Sequence, residues 1–299
     1  MPESGVALFN HEDILSYEEI LRIIRVAAGK GITKVRITGG EPLIRRQLYK
    51  LVENIVQIPG ILDVSMTTNG VLLKEFARPL YEAGLQRINI SLDTLDKVKY
   101  TNITKKNHFH KVWEGIETVE ALKLNPIKLN VVVISGINDN EIIDFAKLTF
   151  SKPYHVRFIE FMPVGQHNQW SYEKVVPAEK IIERAESLGP LIPIPKSDLD
   201  GPSRRYYFDG ALGEIGVISA FSEHFCQKCN RLRLTPDGKL RPCLLSDEEI
   251  DIKAPLRDGC SDETISAILQ QAIEKKPQGS HLRLQHDSRC MRNMSRIGG

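Results

Sequence analysis

The sequence predicts a parallel α/β architecture followed by a smaller, irregular, cysteine-bearing half, and three observations carry that expectation. Segments of helical period alternate with short β-branched runs from the N-terminus to about residue 161, giving five candidate strands. Polar and glycine residues collect at the carboxyl ends of the first three runs, where parallel α/β folds build their sites. Beyond about residue 165 the alternation gives way to Gly- and Asp-rich stretches, so residues 1–165 form the repetitive unit and 166–299 the extension.

The elements follow in order. Ser16 and Glu19 make a capping box ahead of Ile20, Ile23, Ile24 and Ala27, and Gly29 to Gly31 supplies the stop of a first helix. "TKVRIT" then reads as a strand, "QLYKLVENIVQI" as a helix, "DVSMTTNG" as a strand, "LKEFARPLYEAG" as a helix and "QRINISLD" as a strand. A helix at "HKVWEGIETVEALK" leads into the strand "KLNVVVI"; "NEIIDFAKLTF" reads as helix and "HVRFIEF" as the fifth strand. Parallel strands with helical crossovers are expected to be buried on both faces, which leaves an open doubly wound sheet or a barrel. Periodicity does not choose between them. In the extension, "SDLDGPSRRYYFDGALGEIGVIS" holds short strand-like pieces, and "RLRLTPDGKLRPCLL" predicts a hairpin turning at Pro236, Asp237 and Gly238. A last amphipathic helix is expected from about Asp262 to Ile273.

Composition narrows the function classes. A chain of 299 residues with 41% hydrophobic and 26% charged residues can bury a substantial core without staples. A formal net charge of +2 leaves no global footprint for nucleic acid, so any basic site must be local. The opening "MPESGVALFNHEDIL" has no apolar signal region, and no run approaches the ~18 apolar residues of a membrane span. Five cysteines, an odd number, argue against a disulfide framework and place the chain in the cytoplasm.

Four features bear on chemistry: the loop after the first strand, two further strand ends, the basic residues and the cysteines. In "ITGGEP" two glycines leaving a strand let a ligand approach the backbone, and Glu41 could pair with an amine or cap the next helix, with Pro42 at N1; a plain strand-to-helix turn explains the same residues. Thr67 to Gly70 and Ser91 to Asp93 could bond a ligand at strand ends but are also ordinary turn and cap residues. Arg36, Lys128 and Arg157 lie on parallel strands, where a basic side chain must be paired or face a ligand. Arg231 and Arg233, two apart on an expected strand, would present both guanidinium forks to one face, suited to a phosphate or a purine edge.

The cysteines form the fourth feature. Cys226, Cys229 and Cys243 have C-x2-C-x13-C spacing, with the third returned by the hairpin. Structural zinc wants four ligands; His224 could serve, whereas Cys260 and Cys290 lack the spacing. Three thiolates equally suit an iron–sulfur cluster with one iron left for a non-protein ligand. Spacing alone leaves both open.

Together "VRITGGEPLIRR", "MTTNG", "INISLDTL", "VRFIEFMPVG", "GPSRRYY", "GEIGVIS", "CQKCNRLRLTPDGKLRPCL" and the terminal "SRIGG" resemble the GTP 3′,8-cyclases. These radical S-adenosylmethionine enzymes begin molybdenum-cofactor synthesis by cyclising GTP. The resemblance spans almost the whole chain. It implies an incomplete (βα)6 TIM-type barrel, with an α+β extension carrying a [4Fe–4S] cluster whose open iron binds the guanine. On this resemblance Cys226, Cys229 and Cys243 are the cluster ligands. Gly40, Ser91 and Met162 contact S-adenosylmethionine; Arg36, Thr67, Lys128, Arg231 and Arg233 contact GTP, with Arg157 a further GTP contact. Gly298 and Gly299 match a tail that reaches the active site. A homodimer and handover of product to cyclic pyranopterin monophosphate synthase are also implied; neither a nucleic acid nor a membrane is expected.

One departure stands out. The family's first cluster sits on a C-x3-C-x2-C loop, and this sequence contains none; "MPESG" resembles the segment after the loop's third cysteine. The loop, the first barrel strand and a GTP-binding arginine are therefore expected upstream of Met1, with an internal methionine taken as the start. The chain as written is expected to hold one cluster and bind GTP without generating the radical. The competing reading is a non-catalytic α/β binding module with a structural zinc knuckle.

Overall fold

The computed structural model describes residues 10–165, 170–196, 201–222, 229–277 and 290–297. In chain order the elements of the repetitive unit are α1 (Tyr17–Gly29), β1 (Lys34–Ile37), α2 (Leu48–Val56), β2 (Asp63–Thr68), α3 (Leu73–Glu82), β3 (Arg87–Ser91), α4 (Lys97–Thr104), α5 (Phe109–Ala121), β4 (Ile127–Val133), α6 (Ile142–Ser151) and β5 (Tyr154–Glu160). Then come α7 (Ala178–Ala185), β6 (Ile192–Ile194), β7 (Arg204–Tyr207), β8 (Glu214–Ile218), β9 (Arg233–Leu234), β10 (Lys239–Arg241), β11 (Ile250–Asp251), α8 (Lys253–Arg257), α9 (Asp262–Glu274) and α10 (Met294–Ile297).

The eight-stranded sheet has the order β1-β2-β3-β4-β5-β8-β7-β6. The five expected strands pair in parallel in sequence order, and β8 adds a further parallel strand beside β5. At one edge the pairing is antiparallel: β7 runs against β8, and β6 runs against β7. The fold is therefore α/β with a mostly parallel central sheet, and that sheet continues across position 165 into the extension.

Local signals explain the first helix. Ser16 Oγ accepts from Glu19 N at 3.2 Å and Glu19 Oε2 accepts from Ser16 N at 2.6 Å, so the capping box closes in both directions. Two short helices escaped the periodicity. In α4 the described side chains bury only Tyr100, so no apolar stripe marks it, and Asp96 Oδ1 caps it by accepting from Lys99 N at 2.7 Å. In α7 the first backbone N–H, that of Ala178, is bonded by Glu160 from the end of β5, a tertiary cap invisible in its own sequence.

The sheet differs from the sequence expectation in one respect that decides the rest. Its strands are not apolar on both faces: β4 and β5 are partly exposed on one face, and the residues of β2 and β3 buried there, Ser65 and Asn89, are polar. Along β4, Ile127, Leu129, Val131 and Val133 are buried while Lys128, Asn130 and Val132 are partly exposed; along β5, Tyr154, Val156, Phe158 and Glu160 alternate with His155, Arg157 and Ile159 in the same way. The buried set joins Val64, Met66, Ile88 and Ile90 in one core with residues of α2, α3, α5, α6 and α7. Each such aliphatic side chain contributes ~1.5–3 kcal/mol when fully buried. These helices thus cover one face, and the other is polar.

A second core joins α1 to the extension. Ile23 and Ala27 pack with Leu15, with Leu240, Ile252 and Leu256, and with Ile265, Leu269 and Ala272 of α9. The expected hairpin is present as β9 and β10, closed by Thr235 N donating to Lys239 O at 2.8 Å with Gly238 at φ +76°. Lys276 Nζ staples its two arms, bonding Arg231 O at 2.6 Å and Pro242 O at 2.9 Å. The segment 290–297 docks on the loop after β5: Gly165 N donates to Cys290 O at 2.9 Å, and Ile297 packs in a small cluster that Met162 joins.

Candidate functional site

The polar face is built by register. Thr67, Asn89, Lys128, His155 and Glu214 are successive partners across β2, β3, β4, β5 and β8. Two positions further along the strands, Ser91, Asn130, Arg157, Gly216 and Arg205 make a second row. Arg36, Ser65 and Arg87 form a third, two positions before Thr67. Side chains alternate strictly along a strand, so all three rows share one face.

That face is dense in cations. Arg87 is neutralised by Asp63, and Arg205 forks onto Glu214 at 2.9 and 2.8 Å. Among the described residues neither Arg36 nor Lys128 carries an ion pair. Burial, followed by the charges of Arg157, Arg87, Arg205 and Arg36, pushes the Lys128 ammonium down to about 7. Burial and the neighbouring arginines likewise disfavour the charged forms of Arg36 and Arg157. His155 stands at about 4, held down by burial although Glu214, 3.4 Å from its Nδ1, works the other way. Like charges held together on a partly desolvated face are costly unless opposite charge is brought to them.

Other groups set the geometry. Asn89 is buried; its Nδ2 donates to Met66 O at 2.9 Å and its Oδ1 accepts from Arg157. Gly216 lies under the Arg157 stem, where an added Cβ would come within 2.8 Å of Arg157 Cγ and 2.5 Å of Ser203 Oγ. Glu160, fully buried, accepts from Ala178 N, Phe221 N and Ser222 N at 2.7, 2.7 and 2.8 Å, tying β5 to α7 and to the chain that leads to the cysteines. Glu41 pairs with no amine among the described residues. It accepts from Leu43 N, Thr68 Oγ1 and Asn69 N at 3.1, 2.7 and 2.7 Å, so its carboxylate caps the short helical turn with Pro42 at N1 and ties it to the end of β2. Burial raises the Glu41 carboxyl against the pull of those bonds. Asp93 is pushed up to about 6 by burial, opposed by the Val132 N–H at 2.9 Å.

The expected residues separate into three groups. Arg36, Thr67, Lys128 and Arg157 share the polar face, with Ser91 at its carboxyl edge, Gly40 in the loop after β1 and Met162 just beyond β5. Arg231 and Arg233 come to the same region, since Arg231 acts electrostatically on both Arg36 and Arg157, and Arg36 acts on Arg233. Only Arg233 is in a strand; Arg231 precedes β9, so their convergence comes from the fold of the hairpin and not from strand alternation as expected. Cys229 and Cys243 both act on Arg233, which places the two thiols beside one guanidinium. Although burial opposes it, the Arg231 backbone N–H and guanidinium, with Lys276, hold the Cys229 thiol below its ordinary range, toward the thiolate that binds metals. Cys226, His224, Gly298 and Gly299 lie outside the described residues. No three metal-ligating side chains converge among the described residues. Cys260 lies at the junction of α8 and α9, and Cys290 Sγ accepts from Arg241 at 3.2 Å. Sequence reasoning missed Asn89, Asn130, Glu160 and Gly216; the alternating polar positions in "RINIS" and "KLNVVVI" were the available signal for the two asparagines.

With this geometry in hand, comparison with known proteins gives a consistent result. Residues 4–149 match the Radical SAM superfamily model, and residues 154–282 match Molybdenum Cofactor Synthesis C. A solved structure, Streptococcus suis SuiB bound to S-adenosylmethionine, superposes with a TM-score of 0.59 over 88% of this chain and 63% of its own, at 14% identity, and so shares the fold. Fold and matched model together define the class, the radical SAM superfamily. The GTP 3′,8-cyclases of Moorella thermoacetica and Thermodesulfovibrio yellowstonii are each 49% identical to this chain, over 100% of its length and 92% of theirs. This chain belongs to the GTP 3′,8-cyclase family.

Among the described residues no helix is long and apolar enough to cross a membrane.

Proposed function

We propose that this chain serves the reaction named for its relatives: conversion of GTP to (8S)-3′,8-cyclo-7,8-dihydroguanosine 5′-triphosphate, a lyase step of molybdenum-cofactor biosynthesis with S-adenosylmethionine as co-substrate. The observation that carries this reading is the cationic face, where Arg36 and Lys128 carry no ion pair among the described residues and Arg231 and Arg233 converge from the hairpin. A triphosphate supplies the negative charge this surface lacks. In this reading Arg36, Lys128, Arg157, Arg231 and Arg233 hold GTP, with Thr67 bonding it from β2. Binding would return Lys128 to its charged form, so affinity should fall as pH rises through about 7. Gly40, Ser91 and Met162 hold S-adenosylmethionine along the carboxyl edge of the sheet.

The donor chemistry at the hairpin fits an iron–sulfur site better than an inert pair of thiols, since Cys229 is biased toward thiolate and shares Arg233 with Cys243. A [4Fe–4S] cluster held by Cys226, Cys229 and Cys243 would supply an open iron for the guanine. One-sided coverage by helices supports the finer reading of an incomplete (βα)6 barrel whose interior is the polar face, with 166–299 as the extension closing over it. A cytoplasmic homodimer passing its product to cyclic pyranopterin monophosphate synthase belongs to the same reading, as does the Gly298–Gly299 tail.

Since no C-x3-C-x2-C occurs in the 299 residues, the direct test of this chain is binding. Anaerobically reconstituted protein is expected to contain iron and sulfide and to bind GTP more tightly than ATP in calorimetry. Zinc in place of iron, or no preference for GTP, would overturn the assignment.

A further inference from the structure

The segment 290–297 is anchored on two sides. On one it meets the loop after β5 that carries Met162: Cys290 makes a parallel bridge with Val164, and Gly165 N donates to Cys290 O at 2.9 Å. Asn293 lies over Gly165, where an added Cβ would come within 3.1 Å of Asn293 Oδ1. On the other side it meets the hairpin and the chain that follows. Arg292 reaches Asp237 at the hairpin turn and Glu249 Oε1 at 2.5 Å, while Met291 N donates to the two Asp247 oxygens at 3.1 and 3.0 Å. Glu249 Oε1 also takes Arg241 of β10, which is 1% exposed and donates from Nη2 to Cys290 Sγ at 3.2 Å. Between the anchors Cys290 and Ile297 are buried with Val164, and Met162 and Leu244 pack against them. Leu244 directly follows Cys243.

This contact has little apolar area behind it. Among the described residues its cluster has three buried side chains, against the far larger core beneath the sheet, so hydrophobic burial alone holds the segment weakly. The ion pairs tip the balance. Arg241 is a buried cation that needs Glu249 opposite it, and Arg292 shares the same carboxylate oxygen while its other nitrogen holds Asp237. A short element with two anchors and a small docking energy can pass a bias from one anchor to the other. Resting on the functional reading above, we propose that segment 290–297 is a strut that transmits GTP occupancy at the hairpin to the S-adenosylmethionine edge at Met162, with Arg292 as its positioning residue. GTP held by Arg231 and Arg233 fixes the hairpin, and the fixed hairpin keeps Asp237 and Glu249 in place for Arg292. The docked segment then orders Gly165 and Met162. By linkage, whatever undocks the segment also weakens GTP.

The experiment is amide hydrogen exchange with GTP as the probe, on anaerobically reconstituted wild type, Arg292→Ala and Arg292→Lys, with calorimetric GTP binding on each. The N–H groups of Gly165 and Met291 report docking on the two sides, since both are bonded across it; Leu62 N, bonded to Thr33 O at 2.7 Å, is the control. In the wild type, saturating GTP is expected to slow exchange at Gly165 and Met291 about tenfold and to leave Leu62 unchanged. In Arg292→Ala both amides exchange faster, GTP no longer slows Gly165, and GTP binds about fivefold more weakly. Arg292→Lys keeps the charge but loses the fork that holds two carboxylates, and restores part of each effect. Protection of Met291 without Gly165, or no effect of GTP on either, overturns the strut. So does an Arg292→Ala protein with faster exchange and unchanged GTP affinity, the result a merely structural segment would give. Ile297→Ala, which keeps the ion pairs and removes the apolar contact, is expected to lose the same response and serves where Arg292→Ala does not fold. A wild type that does not bind GTP overturns the functional reading, and the strut with it.

Discussion

The two faces of the eight-stranded sheet obey different physics, although each strand contributes alternate residues to both. On the helix-covered face Val156, Phe158, Leu129 and Val131 are buried apolar groups, and Phe158 meets Phe145 edge-on with ring centroids 6.4 Å apart. On the opposite face Lys128, Arg157 and Arg36 crowd like charges onto a largely buried surface, an arrangement from which the fold gains nothing. One face supplies the stability; the other carries buried, mutually repelling cations that work against it. Sites of this kind are where local rules of stability are expected to fail.

The comparison can be broken most sharply by removing charge. Lys128→Met with Arg157→Met should weaken GTP binding about a thousandfold, since each charge-assisted bond is worth ~1.5–3 kcal/mol, while leaving the thermal midpoint unchanged or higher. Calorimetry and thermal denaturation read the two effects separately; a large fall in the midpoint would refute the division of labour. On the apolar face Phe158→Ala should cost ~3–5 kcal/mol in urea unfolding, with GTP affinity of the folded protein altered less than about threefold. Between the faces, Gly216→Ala should push the Arg157 stem from its place, weakening GTP about tenfold and costing ~1–3 kcal/mol in urea unfolding.

The smallest effect is a pH dependence. Lys128 titrates at about 7 in the fold and near its ordinary value of 10.5 when unfolded, so between those values the unfolded chain binds more protons. Stability of the ligand-free protein should therefore rise with pH through this window, as far as Lys128 governs it. Saturating GTP should flatten or reverse the slope, because the bound anion restores the proton to Lys128. Urea unfolding at several pH values with and without GTP reads both.

Much of the fold is legible in the sequence alone. The capping box at Ser16 and Glu19, the five parallel strands, the Asp237–Gly238 turn and the α9 helix all follow from patterns within about a dozen residues. Basic residues on parallel strands flag the site, since Arg36, Lys128 and Arg157 have no reason to be there other than a partner or a ligand. Less legible is anything that needs two distant segments. Glu160 looks like a misplaced acid in "VRFIEF" until α7 and the segment after β8 bring it three backbone donors. Strand β8 is readable as a short strand, but its parallel pairing with β5 is not, because a register is set by contacts and not by the strand itself.

By itself the sequence determined which residues alternate: period 2 in "KLNVVVI" and "HVRFIEF" separates Lys128, Asn130, His155 and Arg157 from their apolar neighbours, and does so within each strand. It also carried the family resemblance. Only the tertiary structure decided that helices cover one face of the sheet, leaving the other free for charge, and that Asn130 stands opposite Arg157 with Ser91 on its far side. The physical reason is range. Alternation is local to a strand, whereas register and coverage depend on backbone pairing and packing between segments tens of residues apart, where no single stretch of sequence holds both partners.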